Sequence, residues 1–177
     1  MDPGQCEGEI VASRQAIEAA LRAADARLAR LAPLMQTYAD DMLLDDGGKW
    51  TVADCLAHVA ASARVSRAGQ RGLRRLSEPP QPPDPNFSID DYTARQVADR
   101  AGKSVADLVA ETVQGHALAL EDLRAMDDAT LDTKIPDLQA GRPAQSVGGL
   151  ILRSLEYHEG GQMDRIESAI RVRTRWA

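Results

Sequence analysis

The chain has 177 residues, enough for one domain with a sizeable core, and its 44% hydrophobic content comes mainly from Ala, Leu, Val and Ile. Aromatic residues make up only 3% and the net charge is −6, which argues against an aromatic base-stacking surface and against general binding to nucleic acid or an anionic membrane. No run of about 18 apolar residues and no basic stretch followed by an apolar core is present, so neither a membrane span nor a secretory leader is expected and the cytoplasm is the default compartment.

Residues 1–7 read as a flexible N-terminus ahead of a single domain over 8–177. A first helix is expected from about Gly8 to Ala39, because Ile10, Ile17, Leu21, Leu28, Leu31 and Met35 recur at helical spacing. Pro33 is a kink point in it. Asp45-Asp46-Gly47-Gly48 is a turn signal. The second helix starts at Thr51, where Thr51 and Asp54 have capping-box spacing with Asp in place of the usual Glu or Gln. It runs to about Leu76, with Val52, Cys55, Leu56, Val59, Ala63 and Leu73 on its buried side. The proline-rich stretch from Pro79 to Pro85 is an extended linker.

A short helix follows from Ser88 to about Asp99 and ends before Gly102. Ser104 and Asp107 cap a third long helix to about Met126, with Val105, Leu108, Val109, Val113, Leu120 and Leu123 as its apolar side. Asp127-Asp128 and Gly141-Arg142-Pro143 bracket an irregular connector. Ser146 caps a fourth long helix, Val147 to about Arg173. Four long helices without a convincing strand imply an all-α, up-and-down bundle.

The chain has three histidines. His58 lies near the start of the second helix. On the fourth, Val147, Leu150, Ile151, Ser154, His158, Gln162 and Ile166 form one stripe, which makes His158 and Gln162 neighbours. Two imidazoles converging inside a helical bundle have the donor chemistry for Zn²⁺, Ni²⁺ or Fe²⁺, and a Gln carbonyl oxygen is a weaker, neutral donor. The bland alternative is a hydrogen-bonded His/Gln pair that fixes helix register. His116 reads as a structural or surface residue. Glu159, about 100° around the helix from His158, is expected to face outward or line a rim, and Glu156 and Asp164 to support the helix surface.

Trp50 fits an anchor at the start of its helix better than a pocket wall. Of the two cysteines, Cys6 and Cys55, the second reads as a reduced core residue and a poor nucleophile beside His58. Arg64, Arg67, Arg71, Arg74 and Arg75 read first as a solvated helix face and second as an anion site. No nucleophile elbow, P-loop or dinucleotide fingerprint occurs.

Three segments in order carry a resemblance: Trp50 to Val59, with its Trp-Thr…Leu-Ala-His pattern; Asp91 to Ala98 followed by Ser104 to Leu108; and Ser146 to Leu150 leading to His158-Glu159 and Ile166. Together they resemble the DinB/YfiT-like superfamily, which includes the mycothiol-dependent isomerases, over nearly the whole chain. The resemblance implies an up-down-down-up four-helix bundle with a short extra helix between the second and third. It also implies a divalent metal at one end, held by His58, His158 and the residue at 162. That third position is usually His in the family and is Gln162 here.

The resemblance thus implies a metal-dependent hydrolase or thiol transferase, acting on a small electrophilic molecule or a low-molecular-weight thiol, with a degenerate metal site. The alternatives are a binding bundle that has lost its metal, or a metal-free toxin-resistance protein similar to ClbS-like relatives. No nucleic acid or membrane partner is expected. Relatives in the family imply a homodimer.

Overall fold

A computed structural model of the chain describes residues 12–43, 49–78, 88–136 and 143–174. The sequence expectations for residues 1–7, for Cys6 and Ile10, for the turn at 45–48, for the linker at 79–85 and for Gly141-Arg142 fall outside the described residues. The protein is mostly helical. Helix α1 is Arg14–Thr37, α2 Val52–Ser62, α3 Ser66–Ser77, α4 Ile89–Ala98, α5 Val105–Ala125, α6 Asp128–Asp132, α7 Val147–Arg153 and α8 Gly160–Thr174, with a π-helical turn, Ser154–Glu159, joining the last two.

The helix starts are set by local chemistry. The side chains of Ser13, Thr51, Ser88, Ser104, Asp127 and Ser146 each accept a hydrogen bond from a backbone N–H in the first turn of the helix that follows. At Thr51 and Ser104 the capping box closes both ways, with Asp54 and Asp107 accepting from the cap residue's own N–H. Asp therefore serves where Glu or Gln is usual. Helix α1 continues through Pro33, whose carbonyl accepts from the Thr37 hydroxyl at 3.1 Å. The short α4 lies where the sequence places it.

Three elements depart from the sequence expectation. The second long helix is two: α2 ends at Ser62, and single-turn hydrogen bonds from Arg67 to Arg64 and from Ala68 to Val65 carry the chain into α3. The reason is tertiary. A Cβ on Gly115 of α5 would lie 2.7 Å from Ala63 Cβ and 3.1 Å from its carbonyl carbon, so the break passes directly against that glycine. The fourth helix is interrupted by the π turn. The connector after α5 holds α6 and a minimal antiparallel pair, β1 Lys134–Ile135 and β2 Gln145–Ser146, with Lys134 opposite Ser146.

Two apolar clusters fill the interior. One gathers Leu28, Leu31, Met35, Val52, Leu56, Val59, Leu108, Met163 and Ile166, and the other Ile17, Leu21, Ala119, Leu123, Val147, Ile151 and Leu155. Each fully buried aliphatic side chain contributes about 1.5–3 kcal/mol relative to exposure. Between the clusters runs a polar layer. Asp25 sits between Leu21 and Leu28 on α1, and Glu159 between Leu155 and Met163 on the last helical segment. On α5, His116 lies between Leu108 and Ala119. The true buried stripe of α5 is therefore Val105, Leu108, Thr112, His116, Ala119 and Leu123. Val113, expected inside, is 41% exposed.

Candidate functional site

Trp50 is fixed ahead of α2 by a short two-stranded contact: Leu43 N–H donates to the Trp50 carbonyl at 2.9 Å, and Val52 N–H to the Asp41 carbonyl at 2.9 Å. From there α2 carries His58 inward, where it is only 6% exposed. Its ring lies 5.3 Å from the Trp50 ring and 4.8 Å from that of His158, edge to face. The two histidines predicted to converge do so.

His58 Nδ1 is 3.1 Å from Gln96 Oε1 on α4. An amide oxygen only accepts, so Nδ1 donates and Nε2 keeps its lone pair. Burial pushes the His58 pKa down to about 4, helped by His158 and by the cations Arg165 and Arg100, against the Gln96 hydrogen bond. His158 is exposed at the edge of the site rather than enclosed, and its partial desolvation lowers its pKa, opposed by the charge of Glu159. Both imidazoles are neutral at pH 7.

Gln162 is on the same side of the bundle, but its carbonyl oxygen is already engaged. It accepts from the Arg165 guanidinium at 2.7 Å and from the Cys55 thiol at 3.2 Å. Arg165 also stands 5.8 Å over the Trp50 ring, a cation–π contact. Cys55 is fully buried, as a core thiol should be. Trp50 is both an anchor ahead of its helix and a cavity wall, lining a 450 Å³ hollow with His58, Gln162 and Arg165. A second hollow, of 380 Å³, is also lined by His58 and includes His158.

The donor set can be tested against a metal on this geometry. The two imidazoles fit: neutral, adjacent, and with one Nε2 lone pair held ready by a hydrogen bond on the opposite ring nitrogen, the usual support of a ligating histidine. The three-residue set does not fit as arranged. Gln162 would have to release Arg165, whose positive charge stands beside the site. No group of three or more His, Cys, Asp or Glu side chains suited to a metal occurs among the described residues.

Glu159 overturns its expectation. Rather than facing outward it is 2% exposed. His116 on α5, fully buried, bridges it to Asp25 on α1: Nδ1 is 2.6 Å from Asp25 Oδ1 and Nε2 is 3.1 Å from Glu159 Oε2. Glu159 Oε1 is also near Nε2, at 3.0 Å, yet has no hydrogen-bond partner among the described residues. Burial alone would lower the His116 pKa, but the hydrogen bonds and charges of Glu159 and Asp25 outweigh it and raise it. Adjacent residues of the π turn thus meet different neighbours, His158 on α2 and Glu159 on α5. Glu156 is exposed as expected, and Asp164 takes an exposed ion pair with Arg27 at 2.6 Å.

Two residues of the site, Gln96 and Arg165, escape a reading of the sequence. Arg165 follows Gln162 by three residues, a helical-neighbour spacing that could have flagged it. Gln96 carries no comparable signal, because its partner is 38 residues away.

The DinB superfamily model matches residues 9–160, and the chain belongs to that superfamily. The match includes both site histidines and ends before Gln162. No curated protein and no solved structure matches the chain. No helix among the described residues is long and apolar enough to cross a membrane.

Proposed function

We propose that this DinB-superfamily chain binds a small electrophilic molecule in the space around His58 and His158, without a resident metal. The observation that carries the reading is the capture of the Gln162 oxygen by Arg165 and Cys55, which leaves two neutral donors next to a fixed positive charge. A general base works best with a pKa near the operating pH. His58, held at about 4, falls short of that and serves better as a hydrogen-bond acceptor to a bound molecule than as a proton abstractor. In the same reading the helices form the family's up-down-down-up four-helix bundle and the protein is a homodimer, which light scattering behind size exclusion checks.

A second reading has its own support: the neutral, adjacent imidazoles and the Nδ1–Gln96 hydrogen bond. In it His58 and His158 hold Zn²⁺, Ni²⁺ or Fe²⁺ with Gln162 as a weak third donor. Such an ion would supply the activation of water or a thiol that a hydrolase or thiol transferase needs.

Elemental mass spectrometry of the untagged protein after incubation with Zn²⁺ or Ni²⁺ separates the two. The first reading expects well under one metal per chain, rising in Gln162→His, where imidazole replaces the captured amide. Near-stoichiometric metal in the wild type, lost in His58→Ala with the helical content intact, establishes the second instead.

A further inference from the structure

The 380 Å³ cavity beside His58 and His158 has a one-sided charge. Arg64, Arg67 and Arg71 line it from the α2–α3 break and the first turns of α3, and Tyr92 from α4. No aspartate or glutamate is among its described lining residues. Arg64 is committed elsewhere, forked onto Asp122 with Nε at 2.7 Å and a terminal nitrogen at 2.6 Å. Arg67 and Arg71 are different. They are four residues apart on one face of α3, both exposed, and neither guanidinium makes an ion pair or hydrogen bond among the described residues.

Exposed arginines normally need no explanation. Two that line a cavity with no carboxylate among its described lining residues, in a chain whose net charge is −6, do. Acidic residues outnumber basic ones, 27 to 21, so a hollow this size whose described lining holds arginines and no acid runs against the composition. The low-dielectric walls focus that positive potential. Guanidinium presents a planar fork matched to carboxylate and phosphate oxygens, and two forks one helical turn apart can share a single oxyanion group or take one each. The solvated-face reading of the cluster holds for Arg74 and Arg75, which lie outside the cavity lining.

We propose that this cavity binds a small organic anion, with Arg67 and Arg71 holding its carboxylate or phosphate group while the remainder of the molecule lies toward His58 and His158. The proposal rests on the reading of the space around the two imidazoles as a ligand site, and it names the class of ligand.

The test is calorimetric titration of the full-length protein at low salt. The probes are succinate, glycerol phosphate and inorganic phosphate, with uncharged succinamide as the neutral counterpart, and the His58 and His158 imidazole resonances are followed in parallel. At least one of the anions should bind, and succinamide should not. Arg67→Gln and Arg71→Gln should each weaken the bound anion on the order of tenfold, the scale of one lost charged hydrogen bond. The double variant Arg74→Gln/Arg75→Gln should leave affinity unchanged. Because all four side chains are exposed, the fold is expected to survive each change, and a thermal midpoint verifies it. Binding of succinate alone, or of the phosphates alone, assigns the oxyanion.

The proposal is overturned if the Arg67 and Arg71 variants bind like wild type, or if succinamide binds as well as succinate. Either result with shifted imidazole resonances leaves the ligand site standing. If no probe binds or moves the imidazole resonances, the anion assignment is wrong, and a screen of neutral electrophiles then decides the ligand site by itself.

Discussion

His116 shows how one buried residue can set the position of another that it never touches. It is fully enclosed, and its two ring nitrogens face Asp25 and Glu159 from different helices. Glu159 in turn directly follows His158, so the ion pair fixes the turn that delivers His158 to the cavity. Breaking a buried pair by removing one partner costs about 3–5 kcal/mol, because the other charge is left uncompensated. His116→Ala should lose stability on that scale in urea unfolding, and His116→Leu/Glu159→Leu should recover a good part of it. A loss below about 1 kcal/mol in the single variant would overturn the reading of His116 as the support of the turn. The sequence alone reads His116 as a structural or surface residue, and only its spacing from Leu108, Thr112, Ala119 and Leu123 could have placed it inside. Its partners are not legible there, since Asp25 is 91 residues away. His58 is legible because it lies in an apolar helical stretch, and His158 because it falls at helical spacing from Val147, Ile151 and Ser154. The fate of Gln162 is not, because an amide's partner is chosen by local geometry and not by pattern.

At the scale of helices, what can be read is whatever the local chain dictates. Thr51, Ser88, Ser104 and Ser146 cap the helices at the positions their side chains suggest, and α1 buries the five residues its periodicity selects from Ile17 to Met35. Two of the three misjudged features, the α2–α3 break and the π turn, have no local cause. Nothing like Gly or Pro sits at Ala63-Arg64-Val65, where α2 ends, and Ser154–Glu159 carries no mark of a π turn. Such turns are uncommon and often fall at functional sites, which fits one that separates His158 from Glu159. The α2–α3 break is sensitive to Gly115. Alanine there gains at most about 1 kcal/mol in helix propensity, but its Cβ would meet Ala63 Cβ at 2.7 Å. Overpacking of that kind costs about 1–3 kcal/mol. Gly115→Ala should therefore lower the thermal midpoint, and a raised midpoint would show that the break can slide away freely.

Over the whole molecule, the three histidines pull stability in opposite directions with pH. His58 and His158 are neutral in the folded state, with pKa values below the ordinary 6.5. As pH falls below 6.5 the unfolded chain takes up protons that the native state refuses, so stability declines, for His58 down to about 4. His116 does the reverse. Held protonated by Asp25 and Glu159, its pKa is raised above 6.5, so its contribution is complete below that value and is lost as pH rises through the folded pKa. The carboxylates of Asp122, Glu111 and Glu167, lowered by Arg64, by Lys103 and Arg100, and by Arg27, add stability that disappears only at more acidic pH. The sum is a maximum near pH 6.5 with a decline on both sides, from groups at two different places in the bundle. Urea midpoints measured from pH 4 to 9 should show it. His58→Gln should flatten the acid limb and leave the alkaline limb alone, while His116→Gln should lower the whole curve and flatten the alkaline limb. An alkaline limb unchanged in His116→Gln would show that the buried imidazole is not held protonated between its two carboxylates.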